Sequence, residues 1–317
     1  LKEIGMSNII QEIQSLLQLK ADLNARLNLM SYDGTPEIKE ISGQKYLYVR
    51  KRIGSKVTSK YVEVYSDNLY ELLLRNAREA KDLRREIRHI DKSLAKLDYK
   101  EQTLNNRVVL NLDFARINIK SLIYDQAVLE GVATSFPQTE EIIENGKVSG
   151  VTANDIQKIL NLKHAWEFIL DNDVINFKSD YQILSHIGKL INEGFFVDGG
   201  RIRSVPVTIG GCTYIPPIPI ETVVMESINT ILNEDISNIQ KAIQLCLYTM
   251  KTQVFKDGNK RSAILFANHF LISKGEGILV VPEQYVSEFK KLLVKYYEGI
   301  DNLGIIEFLE SKCWRKF

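Results

Sequence analysis

The residues best suited to chemistry lie in a short turn between two apolar helical segments. Asp257, Gly258 and Asn259 form the turn, and Lys260 and Arg261 begin the second segment. A glycine turn that opens directly into a helix presents unpaired backbone amides at the positive end of the helix dipole, where anions bind. A guanidinium such as that of Arg261 can hold a phosphate through two hydrogen bonds. The sequence therefore predicts a phosphate site, with Asp257 placed to hold a magnesium ion.

The same turn also has an ordinary structural explanation. Gly-Asn turns are common connections between helices, and Lys-Arg pairs usually lie on solvated faces. The Walker pattern Gly-x-x-x-x-Gly-Lys-Ser/Thr is absent because this segment contains a single glycine. Residue spacing alone leaves the anion site and the plain connection both open.

Three segments carry a resemblance to a known family. Residues 255–261 resemble the signature loop of the Fic/Doc family, written His-x-Phe-x-Asp/Glu-Gly-Asn-Gly/Lys-Arg, with Gln253 at the position of the histidine. Upstream, residues 201–217 resemble the Fic flap, and Leu129-Glu130-Gly131 is similar to the end of the inhibitory helix motif Ser/Thr-x-x-x-Glu-Gly. The order of the three segments is that of the family, and the resemblance extends over roughly residues 103–317.

The resemblance implies a fold and an activity. We expect an all-α Fic fold with a small β-hairpin flap, which binds ATP or another nucleotide with Mg²⁺ and transfers AMP or a related phosphate-containing group to a protein hydroxyl. Asp257 would hold the magnesium ion and Arg261 would clamp a phosphate. The amides of Gly258, Asn259 and Lys260 would cradle the phosphates.

The flap would recognise an unknown protein target. Within the family it pairs with an extended target segment by strand addition, in which main-chain hydrogen bonds give affinity. The flap residues carried over from the resemblance are Ile209, Gly210, Gly211, Thr213 and Tyr214. The double glycine within them and the two prolines after them predict a short hairpin at the surface.

Departures from the family pattern affect catalysis. Gln253 cannot take a proton from the attacking hydroxyl, and general-base catalysis contributes about 10²–10⁴ in rate. We therefore predict either a slow enzyme or a nucleotide-binding pseudoenzyme, and an introduced His-to-Gln substitution is a third explanation. Ile264 replaces a second arginine of the family motif, and Lys260 is similar to the Doc branch, which phosphorylates its target. The transferred group thus stays open.

Glu130 and Gly131 are candidates for an inhibitory motif. In the functional interpretation Glu130 faces the anion loop and pairs with Arg261, which blocks productive phosphate placement. In the structural interpretation it is a solvated glutamate in the last turn of a helix. Gln126 stands at the Ser/Thr position of the motif.

The elements around these motifs fall into two regions. Residues 1–102 read as an antiparallel coiled-coil arm, because apolar residues recur at heptad spacing in two helical segments. Between them, about residues 38–64 predict a two-stranded β tip. Residues 103–317 read as the Fic domain, almost wholly helical, in which one helix is predicted to start near Thr152 and Ser179 is predicted to cap another.

The β tip is strongly basic. Residues 41–62 contain no acid, and three tyrosines lie among the cations. The pattern suits nucleic acid through phosphate neutralisation and stacking, although solvated edge strands, a protein partner or self-association of the arm as a homodimer would also account for it. The candidate nucleic-acid residues are Lys45, Arg50, Lys51, Arg52, Lys56 and Lys60.

Composition sets broad limits. A net charge of +1 does not indicate that the molecule as a whole binds nucleic acid or a membrane, so any basic binding surface must be local. No apolar run reaches the length of a membrane span, and we expect no membrane partner. Three scattered cysteines lack both disulfide and metal-ligand spacing, which favours a reducing compartment and a cytoplasmic location. The noncatalytic alternative is a nucleotide- or partner-binding module whose arm grips nucleic acid or protein.

Overall fold

The computed structural model describes residues 2–146 and 148–316, with backbone only for residues 2–8 and residue 53. Two compact units make up the chain, Leu1–Glu101 and Gln102–Phe317. No helix among the described residues is long and apolar enough to cross a bilayer.

The first unit, here called the arm, consists of two long helices with a sheet between them in sequence. Helix α1 spans Lys2–Leu29 and helix α2 spans Asp67–Lys96, and the two helices pack together. The side chain of Ser66 caps α2 by accepting a hydrogen bond from the amide of Leu69. The predicted helical hairpin is confirmed.

The sheet of the arm has three antiparallel strands, so the prediction of a two-stranded tip was wrong. The strands are β1 (Thr35–Ile41), β2 (Gln44–Ile53) and β3 (Lys56–Val64), in the order β1-β2-β3. Ser42 and Gly43 join β1 to β2 with φ of 52° and 79°, the signs that a two-residue hairpin turn with matching twist requires. The additional strand contains Pro36, which an edge strand tolerates.

The second unit is helical. Its helices are α3 (Asn106–Ile117), α4 (Ile119–Leu129), α5 (Phe136–Asn145), α6 (Ala153–Ile169), α7 (Tyr181–Ile191), α8 (Glu221–Asn233), α9 (Asn238–Thr252), α10 (Asn259–Lys274), α11 (Val286–Tyr297) and α12 (Leu303–Phe308). Short 3₁₀ turns at Val174–Asn176 and Glu283–Tyr285 and a π turn at Leu309–Cys313 connect them. Strands β4 (Ile278–Leu279) and β5 (Trp314–Arg315) pair antiparallel near the C terminus.

Helix α10 is the centre of this unit. It packs against α9, α7, α6 and α3, and every residue from 261 to 272 is buried. The helix packs against neighbours on all sides and carries apolar side chains around its whole circumference, so its sequence shows no amphipathic stripe. Its N-terminus, where the predicted phosphate site begins, is thereby fixed in the core.

The flap contains no strand among its described residues, which corrects the predicted β-hairpin. Residues 204–217 have no regular secondary structure and contain a turn whose backbone bond, from the Cys212 amide to the Ile209 carbonyl, is long at 3.5 Å. The prolines predicted to keep this segment at the surface also remove amides that a ladder needs. The surface position is confirmed, since most flap residues are exposed.

Candidate functional site

The loop between α9 and α10 is held in one conformation by Asn259. Its Oδ1 accepts from the amide of Phe255 at 2.9 Å, and its Nδ2 donates to the carbonyl of Phe255 at 2.8 Å. The ring of Phe255 is fully buried. The side chain of Asn259 thus bonds both backbone groups of Phe255, the residue that anchors the loop. These two bonds hold the loop in place where it enters helix α10.

The N-terminus of α10 has no protein cap. Gly258 is the N-cap residue, and within residues 2–146 and 148–316 no side chain accepts from the first amides of the helix. Gly258 has φ of +74°, and a Cβ there would lie 2.6 Å from the Cγ2 of Ile191. Both the backbone conformation and the space therefore require glycine. The uncapped amides and the helix dipole favour an anion at this end.

Arg261 is buried beside these amides and is held by three groups. Its Nη2 lies 3.2 Å from Oδ2 of Asp257, and its Nη1 donates to the carbonyl of Ile191 at 3.4 Å. Its Nε lies 3.8 Å from Oε1 of Glu130, and this Nε makes no hydrogen bond within the described chain. A buried guanidinium with an unused donor is suited to an incoming phosphate oxygen.

Glu130 brings a carboxylate to the same place. Its side chain is 12% exposed, and its Oε2 lies 3.7 Å from Nζ of Lys260. No hydrogen bond to this Oε2 is present in the part of the chain that the structure describes. Since both contacts to cations exceed hydrogen-bond length, Glu130 interacts with the loop by charge rather than by a formed bond.

Helix α4 ends so that Glu130 is held at a fixed position. Gly131, with φ of +83°, donates its amide to the Val128 carbonyl, and the amide of Val132 donates to the Ala127 carbonyl. This pair of bonds is a Schellman motif, which needs a left-handed residue after the helix. Gly131 supplies that residue.

Gln126 ties α4 to the anion loop. Its Nε2 donates to the carbonyl of Arg261 at 3.2 Å, and its Oε1 accepts from the indole of Trp166 at 2.8 Å. This buried amide stands where the family motif has Ser or Thr. Sequence reasoning treated it as a departure, but in the structure it bonds α4 directly to the start of α10.

Gln253 lies at the end of α9 in a left-handed conformation, with φ of 49°. Its Nε2 donates to the Met250 carbonyl at 2.6 Å, and its Oε1 accepts from Nδ2 of Asn259 at 3.1 Å. Both polar atoms of the side chain are therefore used inside the loop.

Arg203 joins the flap to the loop, a role that sequence reasoning did not assign to it. Its side chain is fully buried and donates to carbonyls on both arms of the flap, Val205 at 2.8 Å and Pro217 at 2.6 Å. Its Nε donates to the carbonyl of Gln253 at 2.6 Å. Burial lowers the pKa of Arg203 from its ordinary value, but a guanidinium stays charged at neutral pH.

The two arms of the flap are held differently. Thr213, on the second arm, donates its amide and its hydroxyl to Oε1 of Glu298, at 2.9 and 3.2 Å. Tyr214 stacks on Tyr297 with ring centroids 6.5 Å apart. The first arm, residues 205–209, is exposed or half-exposed throughout. Its extended main chain is the more accessible edge.

Asn192 and Asp198 brace the loop from the other side. Nδ2 of Asn192 donates to the carbonyls of Gly199 and Asp257, each within 3.1 Å. Lys256 donates to Asp198 at 2.6 Å, and this hydrogen bond lowers the pKa of the Asp198 carboxyl. Asn192 follows a helix like an ordinary cap, so its sequence position gave no signal of this contact.

The donors present suit a phosphate-bound magnesium ion better than a protein-only metal site. The described residues contain no cluster of three or more His, Cys, Asp or Glu side chains able to hold a metal. Asp257 supplies one carboxylate, 48% exposed, beside the open amides of α10. Mg²⁺ typically takes one or two carboxylates and completes its shell with water and substrate phosphates, which this arrangement allows.

Comparison with known proteins identifies two segments. Residues 175–271 match the model of the Fic/DOC family, a range that includes the flap and the loop of Gln253 to Arg261. Residues 7–71 match a model described as a domain of unknown function, DUF6788. The match to the Fic/DOC family model thus lies within the second unit.

Relatives and solved structures agree with this assignment. The protein adenylyltransferase Fic of Culex quinquefasciatus is 26% identical over 232 residues, which is 67% of this chain and 45% of that protein. The protein adenylyltransferase fic-1 of Caenorhabditis elegans is 25% identical over 181 residues, which is 53% of this chain and 34% of that protein. The chain thus spans less than half the length of these two relatives.

Two solved structures share the fold. Fic-1 of C. elegans superposes with a TM-score of 0.51 at 20% identity, over 77% of this chain and 74% of that one. A Fic-domain signalling protein from Bacteroides thetaiotaomicron gives 0.52 at 18% identity, over 66% and 87%. At these identities the likeness establishes the Fic fold.

Proposed function

We propose that this protein is a Fic-type nucleotide-dependent transferase that attaches AMP, or a related phosphate-containing group, to a hydroxyl of a protein target, and that it is weak or silent as it stands. The observation that carries the proposal is the uncapped N-terminus of α10 at Gly258, beside the buried and incompletely bonded guanidinium of Arg261. The adenylyltransferase relatives support the choice of AMP.

Nucleotide binding would use the amides of Asn259, Lys260 and Arg261 together with the Arg261 guanidinium. When bound, Mg²⁺ would neutralise charge on the phosphates of ATP. Asp257 would hold that ion through its exposed carboxylate, and its contact with Arg261 at 3.2 Å orients both side chains. Positioning and charge stabilisation of this kind supply most of the rate enhancement in phosphoryl transfer.

Proton transfer is the missing function. An amide is not appreciably basic near neutral pH, and both polar atoms of Gln253 already bond within the loop. The chain therefore lacks a base at the position where the family has histidine. The expected loss is about 10²–10⁴ in rate.

Target binding would use the first arm of the flap. Residues 205–209 offer an extended, exposed main chain, whereas the second arm is occupied by Glu298 and Tyr297. Arg203 connects this arm to the carbonyl of Gln253. A segment added as a strand would thus be aligned with the loop, with main-chain bonds providing affinity.

Glu130 would keep the nucleotide site closed. Its carboxylate lies near both cations of the loop, at 3.7 Å from Lys260 and 3.8 Å from Arg261. A phosphate drawn to the same cations would meet that negative charge. In this interpretation two separate features limit activity, since Glu130 weakens binding and Gln253 slows chemistry.

The second candidate function is a noncatalytic module that holds a nucleotide or a partner. The observation in its favour is again Gln253, whose side chain completes the loop by bonding to Asn259 and Met250. A glutamine that stabilises the loop is what a protein selected for binding alone would keep.

Calorimetry with ATP and Mg²⁺ on the full chain, run beside an assay for labelled AMP on the chain itself and on lysate proteins, separates the two functions. The enzyme is supported if AMP transfer is weakened by Lys260→Ala and abolished by Arg261→Ala, but is unchanged by Arg78→Ala on the arm. Binding without transfer supports the module. Absence of ATP binding, even in Glu130→Gln, would refute both.

A further inference from the structure

A cleft of about 410 Å³ lies within the arm, between the sheet and helix α2. Six cationic residues line it: Arg50, Lys51, Arg52, Lys81, Arg84 and Arg88. Asp33 is the one acidic residue in that lining. The cleft belongs to the unit outside the Fic/DOC segment, so the transferase proposal does not account for it.

The spacing of residues on α2 explains how the cleft forms. Leu73 is buried against Leu47 and Val49 of strand β2, which seals the sheet onto the helix. Positions 77, 81, 84 and 88 follow on the same helical stripe, at spacings of four, three and four. Ala77 is small, so the space beyond the apolar seal stays open, and the residues that project into it are cations.

Strand β2 supplies the opposite wall. Lys51 follows Val49 by two residues, so alternation along the strand directs it to the same face as the buried Val49. Its Nζ lies 2.7 Å from Oδ2 of Asp33, and Arg84 binds the same oxygen and also donates to the Asp33 carbonyl at 3.2 Å. Asp33 therefore fixes one cation from each wall and spans the cleft.

The remaining four cations have no such partner. Arg50, Arg52, Lys81 and Arg88 are exposed and form no ion pair with any residue that the structure describes. Sequence reasoning found the β2 cations but missed the contribution of α2, because the two groups of residues are about 30 positions apart in the chain. Conversely, Lys45, Lys56 and Lys60 do not line the cleft, and Lys60 lies 5.3 Å from the ring of Tyr32.

We propose that this cleft binds the phosphodiester backbone of nucleic acid. Closely spaced guanidinium and ammonium groups suit repeated phosphates, and arginine can hold a phosphate through two bonds. The cleft is recessed between sheet and helix, where a narrow polyanion enters and a flat bilayer does not.

The aromatic residues of the sheet indicate how sequence-specific the binding is. Tyr48 and Tyr61 pack edge to face at 5.6 Å, and Lys39 lies over the ring of Tyr48 at 4.3 Å. These rings are engaged with each other and with a cation, so they do not form a free platform for bases. Contacts to phosphates alone give affinity with little dependence on base sequence.

Fluorescence anisotropy with labelled mixed-sequence oligonucleotides, single-stranded and duplex, tests the proposal on the full chain over a salt series. Lys81 and Arg88 on α2 give at least two phosphate contacts, which corresponds to a slope of log K against log salt of about −1.4 or steeper for single strands and about −1.8 or steeper for duplex. Lys81→Gln and Arg88→Gln should each reduce the slope by about one and weaken binding about fivefold. Both positions are exposed, so we expect the variants to fold, and circular dichroism checks this.

The control is Arg78→Gln, an exposed residue of the same helix that does not line the cleft. An unchanged affinity and slope for this variant, beside losses for the other two, supports the assignment. Equal losses in all three, or a slope near zero, overturn it. Binding to phosphatidylserine vesicles or to polyglutamate without binding to nucleic acid also overturns it. None of these residues belongs to the nucleotide loop, so failure here is distinct from failure of the proposed transferase.

Discussion

Neutralising Glu130 is the sharpest test of how the nucleotide site is controlled. Glu130→Gln keeps the size and shape of the side chain and removes its charge. In the structure the carboxylate lies 3.7 Å from Nζ of Lys260 and 3.8 Å from Nε of Arg261. We expect the variant to bind ATP with Mg²⁺ more tightly, because a phosphate at the same cations would no longer face a buried negative charge.

The distances set the size of the effect. Two unit charges about 4 Å apart interact by about 4 kcal/mol at an effective dielectric constant of about 20. Lys260 is 33% exposed, so water screens part of this interaction, whereas Arg261 is buried and is screened little. A net gain of about 1.5–3 kcal/mol is therefore expected, which corresponds to a dissociation constant lower by about 10- to 150-fold.

Isothermal titration of ATP with Mg²⁺ into the full chain measures this change. Glu140→Gln is the matched control, since it removes the same charge from a glutamate paired with Lys120 and away from the loop. If the dissociation constant changes less than twofold in Glu130→Gln, or changes equally in the control, Glu130 does not act on the nucleotide site. The melting temperature should stay within a few degrees, because Glu130 makes no hydrogen bond to Lys260 or Arg261 that the glutamine would lose.

Three further outcomes are expected. Gln253→His, made in the Glu130→Gln background, should raise AMP transfer by at least about 10² in a labelled-nucleotide assay, and no gain would show that the base is not the only defect. Arg203→Lys keeps the charge but loses the planar guanidinium that donates to several carbonyls, so urea unfolding should show a free energy of unfolding lower by about 2–4 kcal/mol. The same loss in the exposed control Arg201→Lys would contradict a role for these hydrogen bonds. Burial lowers the pKa of His269 to about 4. As the pH falls below about 6.5, the unfolded chain therefore takes up the proton before the folded chain does. The free energy of unfolding should drop by about 2 kcal/mol between pH 7.5 and 5. His269→Gln should lack that part of the drop in pH-dependent unfolding, and an equal drop in both proteins would contradict the assignment.

Sequence patterns predicted the elements that local rules determine. Helix α10 begins at Asn259, within the predicted glycine turn and two residues before the predicted start at Arg261. A helix starts near Thr152 as predicted, and Thr152 caps it by accepting from the amide of Asp155 at 3.1 Å. The cap of α7 was misplaced by one residue. Asp180 accepts from two amides there, while Ser179 bonds His269 instead, because the tertiary partner of a serine is invisible in sequence.

The errors in strand assignment have a shared cause. The sequence predicts a turn at residues 31–36 and two strands within residues 38–64, whereas residues 35–41 form a separate strand that pairs with residues 44–50 of β2. Residues 205–215 have strand-like composition, yet their backbone groups meet Arg203 and Glu298 rather than each other. Pairing depends on partners that are distant in the chain, and propensity does not encode them.

The candidate site was predictable in its loop and not in its supports. Residues 255–261 are contiguous, so the motif could be seen directly. Arg203, Asn192 and Gln126 act through hydrogen bonds to backbone carbonyls within residues 253–261, at separations of 50 to 135 residues. Every residue has a backbone carbonyl, so residue types do not show which carbonyl a side chain bonds. Only the three-dimensional structure shows these contacts.

The end of helix α4 has a consequence for the speed of nucleotide entry. The amides of Gly131 and Val132 lock the last turn, and Gln126 fastens it to α10, so the backbone under Glu130 has no freedom of its own. Only rotation about the bonds of its side chain can withdraw the carboxylate, and such rotations are far faster than movement of a packed helix. Nucleotide association should therefore proceed in a single phase whose rate rises in proportion to concentration. A side-chain gate of this kind would set how tightly the nucleotide is held without delaying its arrival.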